Sequence, residues 1–148
     1  MNSTANLRGF TLLEVILSIS LIGLLAGLSV PVYNSFQAKN DMDNTAGSVA
    51  QYLRRAELSA ISGKSDSGWG VKIEAEQLTF FRGTDFANRD QNFDEISLFP
   101  STVAVSGSDE FSFQKFFGLP INIGTSTLTN SSGETRSIGV HDGGMIEY

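Results

Sequence analysis

The chain has 148 residues, enough for one domain with a workable core and a short appendage. It contains no Cys, which excludes a disulfide framework, a thiolate-held metal and a thiol nucleophile. Sixteen acidic against ten basic side chains give a net charge of −6, which opposes non-specific nucleic-acid binding, since that rests on cations placed at phosphates.

The apolar residues gather near the N-terminus. From Phe10 to Tyr33 the chain runs for 24 residues with one charge, Glu14, and no Lys or Arg. About 20 apolar residues at about 1.5 Å each span a bilayer, so the run is long enough to cross one. It is too long for the apolar core of a secretory signal peptide, and no small-residue cleavage site follows it. A plain signal anchor fits the length but leaves Glu14 without a reason, because a carboxylate in an apolar span costs roughly 2.5–3.5 kcal/mol. Snorkelling near the end of the span lowers that cost.

The residues around Glu14 supply a reason. Arg8-Gly9-Phe10-Thr11-Leu12-Leu13-Glu14, followed by the apolar run, resembles the processing site of type IV prepilins. The resemblance implies a leader, residues 1–9, removed by a membrane-embedded prepilin peptidase that cuts between Gly9 and Phe10 and N-methylates the new amine of Phe10. It also implies an assembly role for Glu14, whose carboxylate pairs with the Phe10 amine of a neighbouring subunit. A buried charge pair is costly to break and sets register when made. Gly23 and Gly27 form a G-x-x-x-G with Ser20 on the same face, which permits close helix packing. Pro31 removes a helical hydrogen bond and is expected to kink or loosen the helix. Arg8 ahead of the span favours a cytoplasmic N-terminus and a head outside the cytoplasm.

Residues 34–63 are expected to continue as an amphipathic helix. Ala46, Val49, Ala50, Leu53, Ala56, Ala60 and Ile61 recur at three- and four-residue spacing and form one apolar stripe. Gly63 is the expected C-cap, and Asn40–Asn44 is a stretch of poor helix formers where a bend is expected. With the span of residues 10–33 this makes one helix of about 80 Å.

From residue 64 to 148 the pattern is that of strands. Trp69–Ala75 and Gln77–Arg82 are expected to pair as a hairpin, followed by Glu95–Phe99, Thr102–Val105, Glu110–Phe116, Pro120–Ile123, Ser126–Thr129, Thr135–Val140 and Met145–Tyr148. Turn residues separate several of them, at 106–109, 124, 130–133 and 142–144. The polar segment Asp85–Asp94 reads as an exposed loop. A helix followed by many short strands predicts an α+β fold, the helix stripe covering an antiparallel sheet. Leu53–Ile61 with Trp69-Gly70-Val71, then Phe111-Ser112-Phe113, Gly118-x-Pro120, Arg136-x-Ile138-x-Val140 and Gly144-x-Ile146, resemble the H-type pseudopilin (GspH/FimT-like) family. With the N-terminal motif, this implies the type IV pilin fold.

The candidate chemistry elsewhere is thin. His141 is the only histidine and sits in a turn; there is no nucleophile elbow for a hydrolase triad. Gly63-Lys64-Ser65 ends a helix, with Leu58 where a P-loop needs Gly, so it is no phosphate loop. Asp90, Asn92 and Asp94 have the spacing of the first ligands of a calcium loop, but Glu95 and Ser101 stand where Gly and Glu belong, and a solvated acidic loop is the favoured reading. No cofactor and no enzymatic activity are expected. The resemblance implies a structural subunit of a pilus-like filament, with a minor H-type pseudopilin preferred and a major type IV pilin as the alternative. The partners it implies are other pilin subunits, the prepilin peptidase, an inner-membrane assembly platform and membrane lipid. A minor pilin that captures DNA is the alternative of another class. Residues 111–148 oppose it, holding only Lys115 and Arg136 as cations against Glu134, Asp142 and Glu147.

Overall fold

The computed structural model describes residues 9–148, without the side chains of residues 28–31. The expectations placed on Arg8, on residues 1–8 of the leader and on the side chain of Pro31 fall outside the described residues. The chain divides into two compact units, with the boundary after Phe36.

Helix α1 (Leu12–Ile61) is one 50-residue element, unbroken through the Asn40–Asn44 stretch. Every described side chain from Gly9 to Gly27 is exposed. The second unit buries the stripe read from the sequence and extends it backwards: Ala38, Met42, Thr45, Ala46, Val49, Ala50, Leu53, Ala56 and Ala60 are all buried. Ile61 departs from the expectation and is 44% exposed. Its side chain abuts Gly118 at the edge of the stripe, while Ala60 beside it is fully buried. The helix ends where expected: Gly63 takes φ +63, and its N–H donates to the Ala60 carbonyl at 3.0 Å.

The strands form two antiparallel sheets. In the first, β1 (Trp69–Ile73) lies between β2 (Gln77–Arg82) and β5 (Glu110–Phe113), and β3 (Asp90–Leu98) pairs on the outer side of β2. In the second, the order is β4 (Val103–Gly107), β6 (Gly124–Asn130), β7 (Thr135–Val140) and β8 (Ile146–Glu147). The expected β1–β2 hairpin forms, with Val71 opposite Phe80 and Ile73 opposite Leu78. Gly70 in β1 is required by close packing. A Cβ there would fall on the Phe81 ring and 2.8 Å from the Phe111 carbonyl oxygen. Side chains from α1 and both sheets share one core, with Leu53, Trp69, Phe80, Phe111, Leu128 and Ile138 fully enclosed.

Two strand expectations are corrected. Asp85–Asp94 is not wholly a loop, because β3 begins at Asp90. Its polar residues reach strand geometry through tertiary partners: Asp90 pairs in register with Arg82, and Phe93 packs edge-on to Trp69 with centroids 6.2 Å apart. Pro120–Ile123 is not a strand. A single bridge joins Pro120 to Phe113, and Pro has no N–H to extend a ladder. The chain between β5 and that bridge instead forms a tight turn, with Gly118 at φ +66 and Phe116, a non-glycine residue, also at φ +66.

Candidate functional site

The start of α1 is built by Thr11. Its hydroxyl accepts a hydrogen bond from the Glu14 amide at 3.2 Å, and its carbonyl accepts one from the Val15 amide at 3.2 Å. Thr11-x-x-Glu14 is therefore an N-cap with an acid at the third helical position, a pattern that was legible in the sequence and that the prepilin resemblance masked. It places the Glu14 carboxylate in the first turn, where the positive end of the helix favours an anion. Phe10 is 83% exposed just ahead of that turn. The Glu14 carboxylate has no hydrogen-bond or ion-pair partner among the described residues.

The hydroxyls of this segment behave differently. Ser18 donates to the Glu14 carbonyl at 2.7 Å, and Ser20 donates to the Ile16 carbonyl at 2.8 Å. Each closes on the preceding turn of its own helix, which removes the penalty for a bare hydroxyl in apolar surroundings. Gly23 and Gly27 have open space where a Cβ would stand. Phe10 and Glu14 thus both stand at the start of α1, and Ser20, Gly23 and Gly27 lie on one exposed face. Helix α1 contains a stretch apolar and long enough to cross a membrane.

In the head, Asp90, Asn92 and Asp94 lie on β3. Asp90 accepts from the Asn92 amide and pairs with Arg82 at 3.4 Å, while Asp94 accepts from Arg89 Nε at 2.8 Å. The carboxylates face arginines, and no cluster of three or more His, Cys, Asp or Glu suited to a metal exists among the described residues. His141 contacts Glu147 at 3.2 Å on the surface.

Three carboxyls in the head are perturbed. Burial raises the Glu57 carboxyl above its ordinary value, with Arg54 opposing. The bidentate bond from Arg55, 2.6 Å on each arm, lowers that of Glu95. Contact with Lys115 lowers that of Asp66. These groups are scattered over the head and do not converge on a cleft.

Comparison with known proteins matches the two ends of this description. Residues 5–30 match the family described as the prokaryotic N-terminal methylation motif. The chain is similar to a fimbrial protein of Pseudomonas aeruginosa, 30% identical over 57 residues, covering 38% of this chain and 37% of that protein. It is similar to the type IV major fimbrial protein FimA of Dichelobacter nodosus, 27% identical over 66 residues and 42% of each chain. The chain thus spans less than half the length of these relatives. Among solved structures it resembles the minor pseudopilin EpsH from the type 2 secretion system of Vibrio cholerae. The TM-score is 0.55 at 14% identity, over 72% of this chain and 94% of that one. The α+β class and the pilin architecture expected from the sequence, a long N-terminal helix packed on antiparallel sheet, are borne out.

Proposed function

We propose that this chain is a structural subunit of a type IV pilin-like filament, of the minor H-type pseudopilin kind. Its apolar segment, residues 10–33, holds it in the inner membrane with the head outside the cytoplasm. A prepilin peptidase cuts between Gly9 and Phe10 and methylates the amine of Phe10, and an inner-membrane platform then draws the subunit out of the lipid into a periplasmic or surface filament beside its relatives. One observation carries this reading. Glu14 is a carboxylate without a partner among the described residues, on an exposed apolar helix, four residues beyond the amine that cleavage would create.

Ser18 and Ser20 are satisfied within the helix and Glu14 has no partner among the described residues, so the segment lacks one cation there. A neighbouring subunit's Phe10 amine supplies it, and the penalty of an unpaired acid is relieved only when the axial offset is right. The open face at Ser20, Gly23 and Gly27 supports close approach of a second helix. The minor, H-type assignment is supported by the fold likeness over nearly the whole of the EpsH chain. A major pilin is the second reading, favoured by the fimbrial relatives, and subunit abundance in sheared filaments separates the two.

Mass spectrometry of the mature chain should find N-methyl-Phe at its start; an intact leader beside an active peptidase rejects the assignment. Glu14→Val should still be cleaved and stay in the membrane, yet enter filaments at least tenfold less than co-expressed wild type, because the neighbour's amine loses its partner. A filament ratio equal to the membrane ratio would sink the pairing mechanism.

A further inference from the structure

The chain holds eight aspartates, one Asp-Gly pair at Asp142-Gly143, and no Asn-Gly. Seven of the eight carboxylates are engaged by other groups, among them Asp66 by Lys115, Asp90 by Arg82, Asp94 by Arg89 and Asp109 by Lys72. Asp142 is exposed and has no hydrogen-bond or ion-pair partner among the described residues. It is the second residue of the turn 141–144 that joins β7 to β8, closed by a bond from the Gly144 amide to the His141 carbonyl at 3.0 Å. Gly143, the third residue, takes φ +94, a conformation that favours glycine. Its amide donates to nothing among the described residues, and beyond its chain neighbours no atom lies within 4 Å of where a Cβ would stand. A free carboxyl and a free, unshielded amide are thus adjacent in the chain.

We propose that Asp142-Gly143 is a site of spontaneous backbone modification, at which aspartate converts to isoaspartate. The Gly143 nitrogen attacks the carboxyl carbon of the Asp142 side chain. The new C–N bond closes a five-membered succinimide, and the carboxyl hydroxyl leaves with the amide proton as water. Water then opens the ring. Attack at the side-chain carbonyl restores aspartate. Attack at the main-chain carbonyl leaves the chain running through Cβ and Cγ and frees the former backbone carbonyl as a carboxylate. One water is lost and one gained, no electron is transferred, and the net charge is unchanged. Glycine suits the attacking position because it has no side chain to shield its nitrogen and its backbone is free to rotate. The consequence falls on β8, because the product carries one extra carbon in the main chain of a tight turn. Only two residue pairs hold β8 to β7, Gly139 with Glu147 and Val140 with Ile146, together with a bond from the His141 amide to the Met145 carbonyl at 3.0 Å. Ile146 packs on the core, and the Arg54 guanidinium lies 5.2 Å from the centre of the Tyr148 ring. Isomerisation therefore loosens β8 and uncovers part of the core.

The test uses the full-length chain in detergent, aged at pH 7 in water enriched in oxygen-18, then unfolded and digested with trypsin. Cleavage after Arg136 releases residues 137–148 as one peptide. It should split into two chromatographic peaks of the same composition, the new one carrying a heavy oxygen and resisting a protease that cuts before aspartate. The peptide of residues 65–72, which holds Asp66-Ser67, should change at least tenfold more slowly, since Lys115 engages that carboxylate. Asp142→Glu, at an exposed site, should give a single peak, because a six-membered imide closes far more slowly. The aged wild-type chain should melt below the fresh one, and the aged Asp142→Glu chain should not. A single 137–148 peak from the folded chain, under conditions that split it in urea-unfolded chain, overturns the site. Equal change in the 65–72 peptide overturns the argument from free and engaged carboxylates. An unchanged melt in chain that has split overturns the loosening of β8.

Discussion

The core of the head makes a quantitative demand on one helix. Leu53 is fully enclosed in the cluster shared by α1 and both sheets, and Leu58, five residues on, is 65% exposed. Leu53→Ala removes three carbons, worth roughly 2.4 kcal/mol at about 0.8 kcal/mol each. Sheet side chains on both sides prevent full collapse, and the residual cavity brings the loss to roughly 3–4 kcal/mol. For the unit spanning Gln37–Tyr148 this should lower Tm by roughly 12 °C. Leu58→Ala, the same substitution on the same helix, should change stability by less than about 0.5 kcal/mol. The assay is thermal and urea unfolding of residues 37–148 followed by far-UV circular dichroism, with m-values compared to confirm two-state behaviour. Equal shifts for the two variants would refute the helix phase on which the packing rests. A Leu53→Ala shift below about 2 °C would refute the shared core.

Other substitutions probe the rest of the structure. Gly70→Ala should destabilise the head by at least about 2 kcal/mol, read from the urea midpoint, because its Cβ meets the Phe81 ring and the Phe111 carbonyl with no room to yield. Burial raises the folded-state value of Glu57, so the folded head holds that proton to higher pH than the unfolded chain, and this group's effect on stability becomes less favourable as pH rises above about 4.5. Glu57→Gln should therefore be more stable than wild type at pH 7, with the gap closing by pH 4.5 in thermal melts; a gap independent of pH would refute the burial argument. Glu95 is lowered by Arg55, so its contribution is present at neutral pH and lost on acidification; both side chains are about half exposed, and Glu95→Gln should cost less than about 1 kcal/mol, shrinking further in 1 M salt. Neither calcium nor EDTA should move Tm, since Asp90 and Asp94 are engaged by Arg82 and Arg89; a calcium-dependent rise of several degrees would show that those ion pairs yield to the metal.

Periodicity and local chemistry alone determined the parts of this protein that depend on near neighbours in the chain. The stripe through Val49, Leu53, Ala56 and Ala60 follows from 3.6 residues per turn, and the β1–β2 hairpin from alternation across a short connection. The stop at Gly63 follows from its tolerance of positive φ, and the processing motif is a contiguous run whose meaning survives without a fold. What lay beyond the sequence depends on distant partners. The polar run at Asp90–Asp94 belongs to a strand because β3 pairs antiparallel with β2 and Phe93 meets Trp69, contacts without a local signature. Ile61 lies at the edge of the buried stripe, beside exposed Leu58, and is itself exposed although Ala60 in the same turn is fully buried. Sorting the strands into two sheets around one helix, and the turn that holds Phe116 and Phe117 outward, were likewise decided by tertiary structure. Apolar residues before a glycine read as core until the cover over them is known, and that cover is set by the packing of elements far apart in sequence.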